Sequence, residues 1–263
     1  MRFGFIGCGN MGGAIACGVV KAAGGDEVLL ANKTASKAEN LARELHCSFG
    51  SNEDAARCGY VFLGVKPYLM EDVLRNIQRV LAQSKPVLVS MAAGLTMARI
   101  REMAGGDYPV IRIMPNTPSA IGEGMIQYCT LDVTEEQEAE FLQAMTCCGR
   151  LDQIPENLMD AASAVSGCGP AFAYMFIEAL ADGGVACGLP RAKAMEYAAQ
   201  MLQGSAKLFL ETQNHPGALK DAVCSPGGST IQGVRKLEQY AFRAAVTDAV
   251  ITAYEKNLEM KKM

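Results

Sequence analysis

Seven short segments of this chain carry residue types that could do chemistry, and the first lies almost at its start. Gly7-Cys8-Gly9-Asn10-Met11-Gly12 fits G-x-G-x-x-G. Between a strand and a helix, the first glycine of this pattern permits a tight turn. The second lets a diphosphate reach the backbone, and the third lets helix and strand pack closely. The N-terminus of the helix then offers N–H donors to phosphate. With 27 glycines in 263 residues, a ligand-free turn is the other reading of the motif alone. Asn32-Lys33-Thr34 ends the next strand. A carboxylate there binds a ribose 2′-hydroxyl, whereas an amide, a cation and a hydroxyl accept a 2′-phosphate. NADP(H) is therefore expected ahead of NAD(H), which stays usable if Lys33 merely faces solvent.

Val65-Lys66-Pro67 and Ala92-Ala93-Gly94 each follow a strand, where open α/β sheets bind ligands. Small residues at 92–94 would let a flat ring pass the backbone; a simple turn is the alternative for each. Three later segments are loop-like and chemically dense: Met114-Pro115-Asn116-Thr117-Pro118, Ser166-Gly167-Cys168-Gly169-Pro170 and Ser225-Pro226-Gly227-Gly228-Ser229-Thr230. The last two set Gly and Pro ahead of helices, so that N–H groups and hydroxyls cluster where a carboxylate would bind. Ordinary helix punctuation explains either one taken alone.

The elements that must position these segments follow from hydrophobic periodicity. Arg2–Ile6, Glu27–Asn32, Tyr60–Val65, Val87–Met91 and Val110–Met114 read as strands, with helical patterns between them. Met11–Ala23 and Ser36–Leu45 are the first two helices, Ser36 serving as an N-cap. Gly124–Cys129, a helix over Glu135–Cys148 opened by Thr134, and Arg150–Ile154 complete a doubly wound parallel sheet. After Pro155 strand signals stop. Asp160–Val165, Ala171–Cys187, Arg191–Leu210, Ala218–Val223 and Thr230–Asn257 read as helices. Ala171–Leu180 is apolar nearly all round, with Glu178 its sole charge. Such a helix must be covered on every side, by a second subunit or at the centre of a monomeric bundle.

Bulk properties exclude several classes. Half the residues are hydrophobic and 20% are charged, as in a compact enzyme. A net charge of −4 and a pI near 5.4 give nucleic acid or an anionic membrane no bulk attraction. Ten scattered cysteines form no C-x-x-C pair, and with two histidines, His46 and His215, no metal site is expected. The cysteines are expected to be reduced. Glycines interrupt the apolar Phe3–Val20, and no run of 18 unbroken apolar residues occurs, so a cytoplasmic location is expected.

Taken together and in order, the segments resemble the pyrroline-5-carboxylate reductase family across essentially the whole chain. The carrying stretches are FIGCGNMG, VKP, MAAG, MPNTP, SGCGPAF, ADGGVACGLPR and, most specific, HPGALKDAVCSPGGSTIQG. The resemblance implies an NADPH-binding Rossmann-type domain over residues 1–154. A helical dimerisation and substrate domain would follow over 155–263, in a homodimer that can assemble further. It implies reduction of 1-pyrroline-5-carboxylate to L-proline, with NAD(H) also usable. Carried over residue by residue, Ile6, Gly7, Cys8, Gly9, Asn10, Met11 and Gly12 would hold the diphosphate, with Asn32 and Lys33 at the adenosine end. Gly64, Val65, Lys66, Pro67, Met91, Ala92 and Ala93 would line the coenzyme. Glu156 would lie near the substrate, and N–H donors at 227–230, around Gly228, Ser229 and Thr230, would hold its carboxylate. Thr230 would also act through its hydroxyl as the catalytic residue. Two departures stand out: Cys168 replaces a common serine, and Ser229 replaces a common Thr or Ala. The other readings are a β-hydroxyacid or cyclic-imine enzyme, which lacks a G-x-x-x-K lysine here, and an NADPH-binding redox sensor.

Overall fold

The runs FGFI, VLLA, YVFL and VLVS are buried along their whole length, which is why they lack the in–out alternation of a half-exposed strand. The computed structural model describes residues 1–260; residues 261–263 of the expected helical domain lie outside the described residues. The chain runs β1 (Phe3–Ile6), α1 (Asn10–Ala23), β2 (Val28–Ala31), α2 (Ala35–Leu45), β3 (Ser48–Phe49) and α3 (Asn52–Ala55). It continues β4 (Tyr60–Leu63), α4 (Pro67–Ser84), β5 (Val87–Ser90), α5 (Met97–Ala104), β6 (Val110–Met114), β7 (Gly124–Leu131), α6 (Glu135–Ala144) and β8 (Gly149–Gln153). Among the described residues these strands form one eight-stranded sheet in the order β3-β2-β1-β4-β5-β6-β7-β8. The first six positions are the doubly wound order, with the reversal between β1 and β4.

Each face of the sheet carries its own core. Phe5 and Phe62 stack at 4.4 Å between ring centres among Ile15, Val19 and Leu30 on one side. Leu63, Met70, Leu74 and Ile77 pack on the other. The parallel expectation fails at one pairing: β7 runs antiparallel to β6, so β7 and β8 both oppose the other strands. Only a 3₁₀ turn, Thr117–Ile121, joins the two, and a parallel return needs a crossover of about a dozen residues or more. The helix α6 then brings β8 back parallel to β7.

Several local expectations shift for identifiable reasons. Thr34, not Ser36, is the N-cap of α2, and its side chain makes no capping bond. Thr134 does cap α6, in a reciprocal box with Gln137. That helix stops at Ala144, before Cys148, whose thiol is fully buried and pushed up to about 12 by desolvation. A Cβ at Gly18 would lie 2.2 Å from its Sγ, so the neighbouring α1 must carry a glycine there. All ten cysteines lie among the described residues, and none is disulfide-bonded.

After α7 (Met159–Ala162) a π-turn, Ser163–Gly167, leads into α8 (Gly169–Ala186). Then come α9 (Arg191–Thr212), α10 (Pro216–Ala222), α11 (Ser229–Gln239) and α12 (Phe242–Met260). The chain divides into two units: Met1–Gly167 with the segment from Tyr254 onward, and Cys168–Ala253. In the second unit α8 packs on α9, and Phe176 meets Phe242 at 5.8 Å. Among the described residues only Ala181, Ala194 and Ala198 of this unit are buried, while Tyr174, Met175, Tyr197 and Leu210 stand more than half exposed. The helical stretch Glu156–Ala186 is long and apolar enough, by length and composition, to cross a membrane.

The single helix expected over Thr230–Asn257 is two. Ala241, between α11 and α12, has φ 55°, the left-handed region that disfavours a Cβ. Ala241→Gly relieves that strain and is expected to raise the unfolding free energy by about 0.5–1 kcal/mol, read from urea denaturation. An unchanged or lower midpoint would contradict it.

Candidate functional site

Strand register assembles the first site. Ile6 is paired with Ala31 on one side and Leu63 on the other, and Leu63 with Ser90. The segments Gly7–Gly12, Asn32–Thr34, Gly64–Pro67 and Met91–Gly94 therefore leave one edge of the sheet side by side, at the reversal point.

Backbone packing fixes the glycine loop. Gly7 turns at φ 99°, and its N–H donates to the Ala31 carbonyl at 2.9 Å. A Cβ at Gly12 would lie 2.0 Å from the Gly7 oxygen, and one at Gly64 2.4 Å from the same atom. Gly64 therefore serves close packing against the loop. A Cβ at Gly9 would meet nothing within 4 Å, so the loop opens on that side. No side chain caps α1 at Gly9, and its first turn holds no acidic residue. An open cradle beside uncapped N–H groups fits a diphosphate. Cys8 is half-buried, its Sγ 3.4 Å from the Ala31 carbonyl, and burial pushes its thiol up to about 11. At neutral pH it is a packing thiol, not a thiolate.

At the adenosine end, the Asn32 amide accepts the Cys8 N–H at 3.1 Å and donates to the Thr34 carbonyl at 3.2 Å. Lys33 and Thr34 are exposed. On the β4 side, Lys66 is the N-cap and Pro67 the first residue of α4, a position that needs no N–H. On the β5 side, Met91 donates to the Leu63 carbonyl at 3.4 Å, and the buried Ala92 N–H faces Ser90 Oγ at the same distance.

Glu156 has a structural partner set. Its Oε1 accepts the Met97 N–H at 2.7 Å, at the start of α5, and lies 3.3 Å from Arg112 Nη1. Arg112 is completely buried in β6, with Nη2 3.5 Å from Asp160 Oδ1. The segment after Met91 is thus tied, through α5, to the first turns beyond β8. Sequence reasoning missed Arg112 and Asp160. The available signal was an arginine at the centre of the apolar strand VIRIM, which a buried strand tolerates only with anionic partners.

A second polar tie lies beside it. Asn116 Nδ2 donates to the Ser166 carbonyl at 3.0 Å, while its Oδ1 accepts the Met125 N–H. In a helix that carbonyl would accept from residue 170, but Pro170 has no N–H. Asn116 supplies the missing donor at the π-turn. Ser166 Oγ in turn donates toward Gln127 Oε1 at 2.9 Å. The segments MPNTP and SGCGP, read separately in the sequence, are thereby joined.

In the second unit, Gly227 turns at φ 69°, and the Gly228 N–H donates to the Ser225 carbonyl at 3.0 Å. Of the donors expected at 227–230, the one at Gly228 is thus engaged within the turn. Ser229 and Thr230 occupy the first turn of α11, which has no capping side chain and no acidic residue. Their N–H groups have no helical acceptor, as an anion site requires. Cys168 precedes α8 and is half-buried. Among the described residues no three His, Cys, Asp or Glu side chains converge as metal ligands.

Comparison with known proteins gives two family matches. Residues 2–94 match the family described as NADP oxidoreductase coenzyme F420-dependent, and residues 156–260 match pyrroline-5-carboxylate reductase dimerisation. The chain is 42% identical to the pyrroline-5-carboxylate reductase of Escherichia coli K12, over 99% of this chain and 98% of that one. It is 39% identical to that of Arabidopsis thaliana, over 99% and 96%. Among solved structures it resembles Plasmodium falciparum pyrroline carboxylate reductase with NADP bound. That match has TM-score 0.88 and 34% identity, covering 99% and 98% of the two chains.

The buried cation is expected to dominate its cluster. Arg112→Leu leaves two carboxylates without it and should lower the unfolding free energy by about 3–5 kcal/mol in urea. Glu156→Gln retains an acceptor for the Met97 N–H and should cost about 1 kcal/mol. The reverse ranking would refute the assignment.

Proposed function

The chain belongs to the pyrroline-5-carboxylate reductase family, and on that premise we propose that it reduces the C=N bond of 1-pyrroline-5-carboxylate to L-proline. Its coenzyme is NADP(H), with NAD(H) accepted less well. The observation that carries the reading is a pair of uncapped helix N-termini, at α1 and α11, each behind a glycine turn and free of acidic residues. One suits a diphosphate and the other a small carboxylate.

Residues Ile6–Gly12 hold the diphosphate; Asn32 and Lys33 lie at the adenosine end, and Gly64–Pro67 and Met91–Ala93 line the coenzyme. Bound NADPH supplies a hydride to the imine carbon. The N–H groups of Ser229 and Thr230 hold the substrate carboxylate, and the Thr230 hydroxyl bonds the ring nitrogen and orients the ring. A protonated imine is already electrophilic, so no strong general base is needed, consistent with a chain of two histidines. Glu156 supports the site through Met97 and Arg112. Residues 1–154 act as the coenzyme domain and 155–263 as the dimerisation and substrate domain.

The active species is a homodimer, able to assemble further. The exposed apolar side chains of α8 and α9, and the match of residues 156–260 to a dimerisation family, support a subunit interface over that surface. The same cover accounts for the apolar stretch Glu156–Ala186 without a membrane. The enzyme works in the cytoplasm, and its net charge of −4 offers nucleic acid no bulk attraction.

Loss of NADPH absorbance on adding 1-pyrroline-5-carboxylate tests the activity, and no turnover would refute it. Thr230→Ala should reduce kcat/KM by roughly 5- to 150-fold, the scale of about 1–3 kcal/mol for one buried hydrogen bond. Wild-type kinetics in that variant would remove Thr230 from the mechanism. Light scattering should find a dimer or a multiple of it; a stable, active monomer would count against the interface.

A further inference from the structure

Asn32 sits at the end of β2, where doubly wound folds commonly place the residue that reads the adenosine ribose. In this chain its amide is engaged by the protein's own backbone. Oδ1 accepts the Cys8 N–H at 3.1 Å, and Nδ2 donates to the Thr34 carbonyl at 3.2 Å. An amide nitrogen carries two hydrogens, so a single one is left for any ligand. The bond to Cys8 fixes the Gly7–Cys8 peptide. That peptide lies between Gly7, which is wedged against Gly64 and turns at φ 99°, and Cys8, the residue before Gly9 on the open side of the loop.

We propose that Asn32 is a positioning residue for the diphosphate loop: it holds the Gly7–Cys8 peptide in its binding conformation and so serves NADPH and NADH alike. The inference rests on the reading that this loop binds the coenzyme. It separates two tasks that the strand end otherwise merges. Asn32 orders the loop, and discrimination of the 2′-phosphate is left to groups still free to meet it, such as the exposed Lys33. It also gives a reason for an amide at this position. Aspartate could accept from Cys8 but would set a carboxylate against the Thr34 carbonyl, and alanine would offer no acceptor.

The test is fluorescence titration of the full-length protein with NADPH, NADH and adenosine 2′-monophosphate, which carries the 2′-phosphate but no diphosphate. Asn32→Ala should raise Kd for NADPH and NADH by a similar factor, about 5-fold, and leave adenosine 2′-monophosphate within about twofold. Asn32→Asp, which keeps the acceptor for Cys8, should bind inorganic pyrophosphate, which has no ribose to meet the carboxylate, within about twofold of wild type. Weakening of NADPH and adenosine 2′-monophosphate with NADH unchanged would overturn the inference and make Asn32 a phosphate reader. If Asn32→Ala does not fold, binding of inorganic pyrophosphate by Asn32→Asp decides: near-wild-type affinity supports the role, and a loss of about 5-fold or more refutes it. A wild-type protein that bound neither dinucleotide would overturn the coenzyme reading, and this inference with it, before any variant is compared.

Discussion

Three backbone segments meet where β1 and β4 separate, at distances that leave no room for a side chain. The Gly7 carbonyl is the shared contact: an added Cβ on Gly12 or Gly64 would fall well inside van der Waals contact distance of its oxygen. This close approach lets α1 start directly at the sheet edge and aim its uncapped N–H groups across the opening beside Gly9. A methyl group at either position would push helix from strand and carry those donors away from a common point. The coenzyme reading therefore depends on absent side chains more than on any particular present one.

Around that contact the protein uses polar ties in place of longer loops. Asn32 reaches from β2 to the glycine turn, Asn116 from β6 to the π-turn at Ser166, and Glu156 from beyond β8 to the start of α5. Each satisfies a backbone group that regular structure leaves open: the first loop amide, a carbonyl facing a proline, and the first N–H of a helix. Buried polar groups so matched give the surrounding loops one arrangement, because any other leaves the same atoms unpaired. Arg112 extends the principle to charge, with two carboxylates gathered about one buried guanidinium.

The second unit follows the opposite rule. Its described elements are all helices, yet the side chains they bury within the chain are alanines, while large apolar residues face outward. Apolar surface on that scale favours association. Residues 156–260 match a dimerisation family, which accords with the subunit interface proposed over this surface.

Much of this was legible in the sequence. The glycine pattern, strand runs and change of texture after Pro155 are local signals, and each sits where the structure realises it. Apolar periodicity and special backbone residues act over a few positions, so a single chain reveals them. Sequence reading erred where geometry between distant residues decides. The antiparallel turn of β7 came from too short a connection, and the break at Ala241 from a backbone conformation that its residue type disfavours. The donor at Gly228 was lost to Ser225 through a local turn. The ties of Arg112 to Asp160, Asn116 to Ser166 and Asn32 to Cys8 each span 24 to 50 positions of sequence. Residue types and spacing along the chain therefore determined the fold class and the family. Only the folded sheet decided which polar groups are free for ligands and which hold the loops in place, because hydrogen bonding is settled by proximity in space.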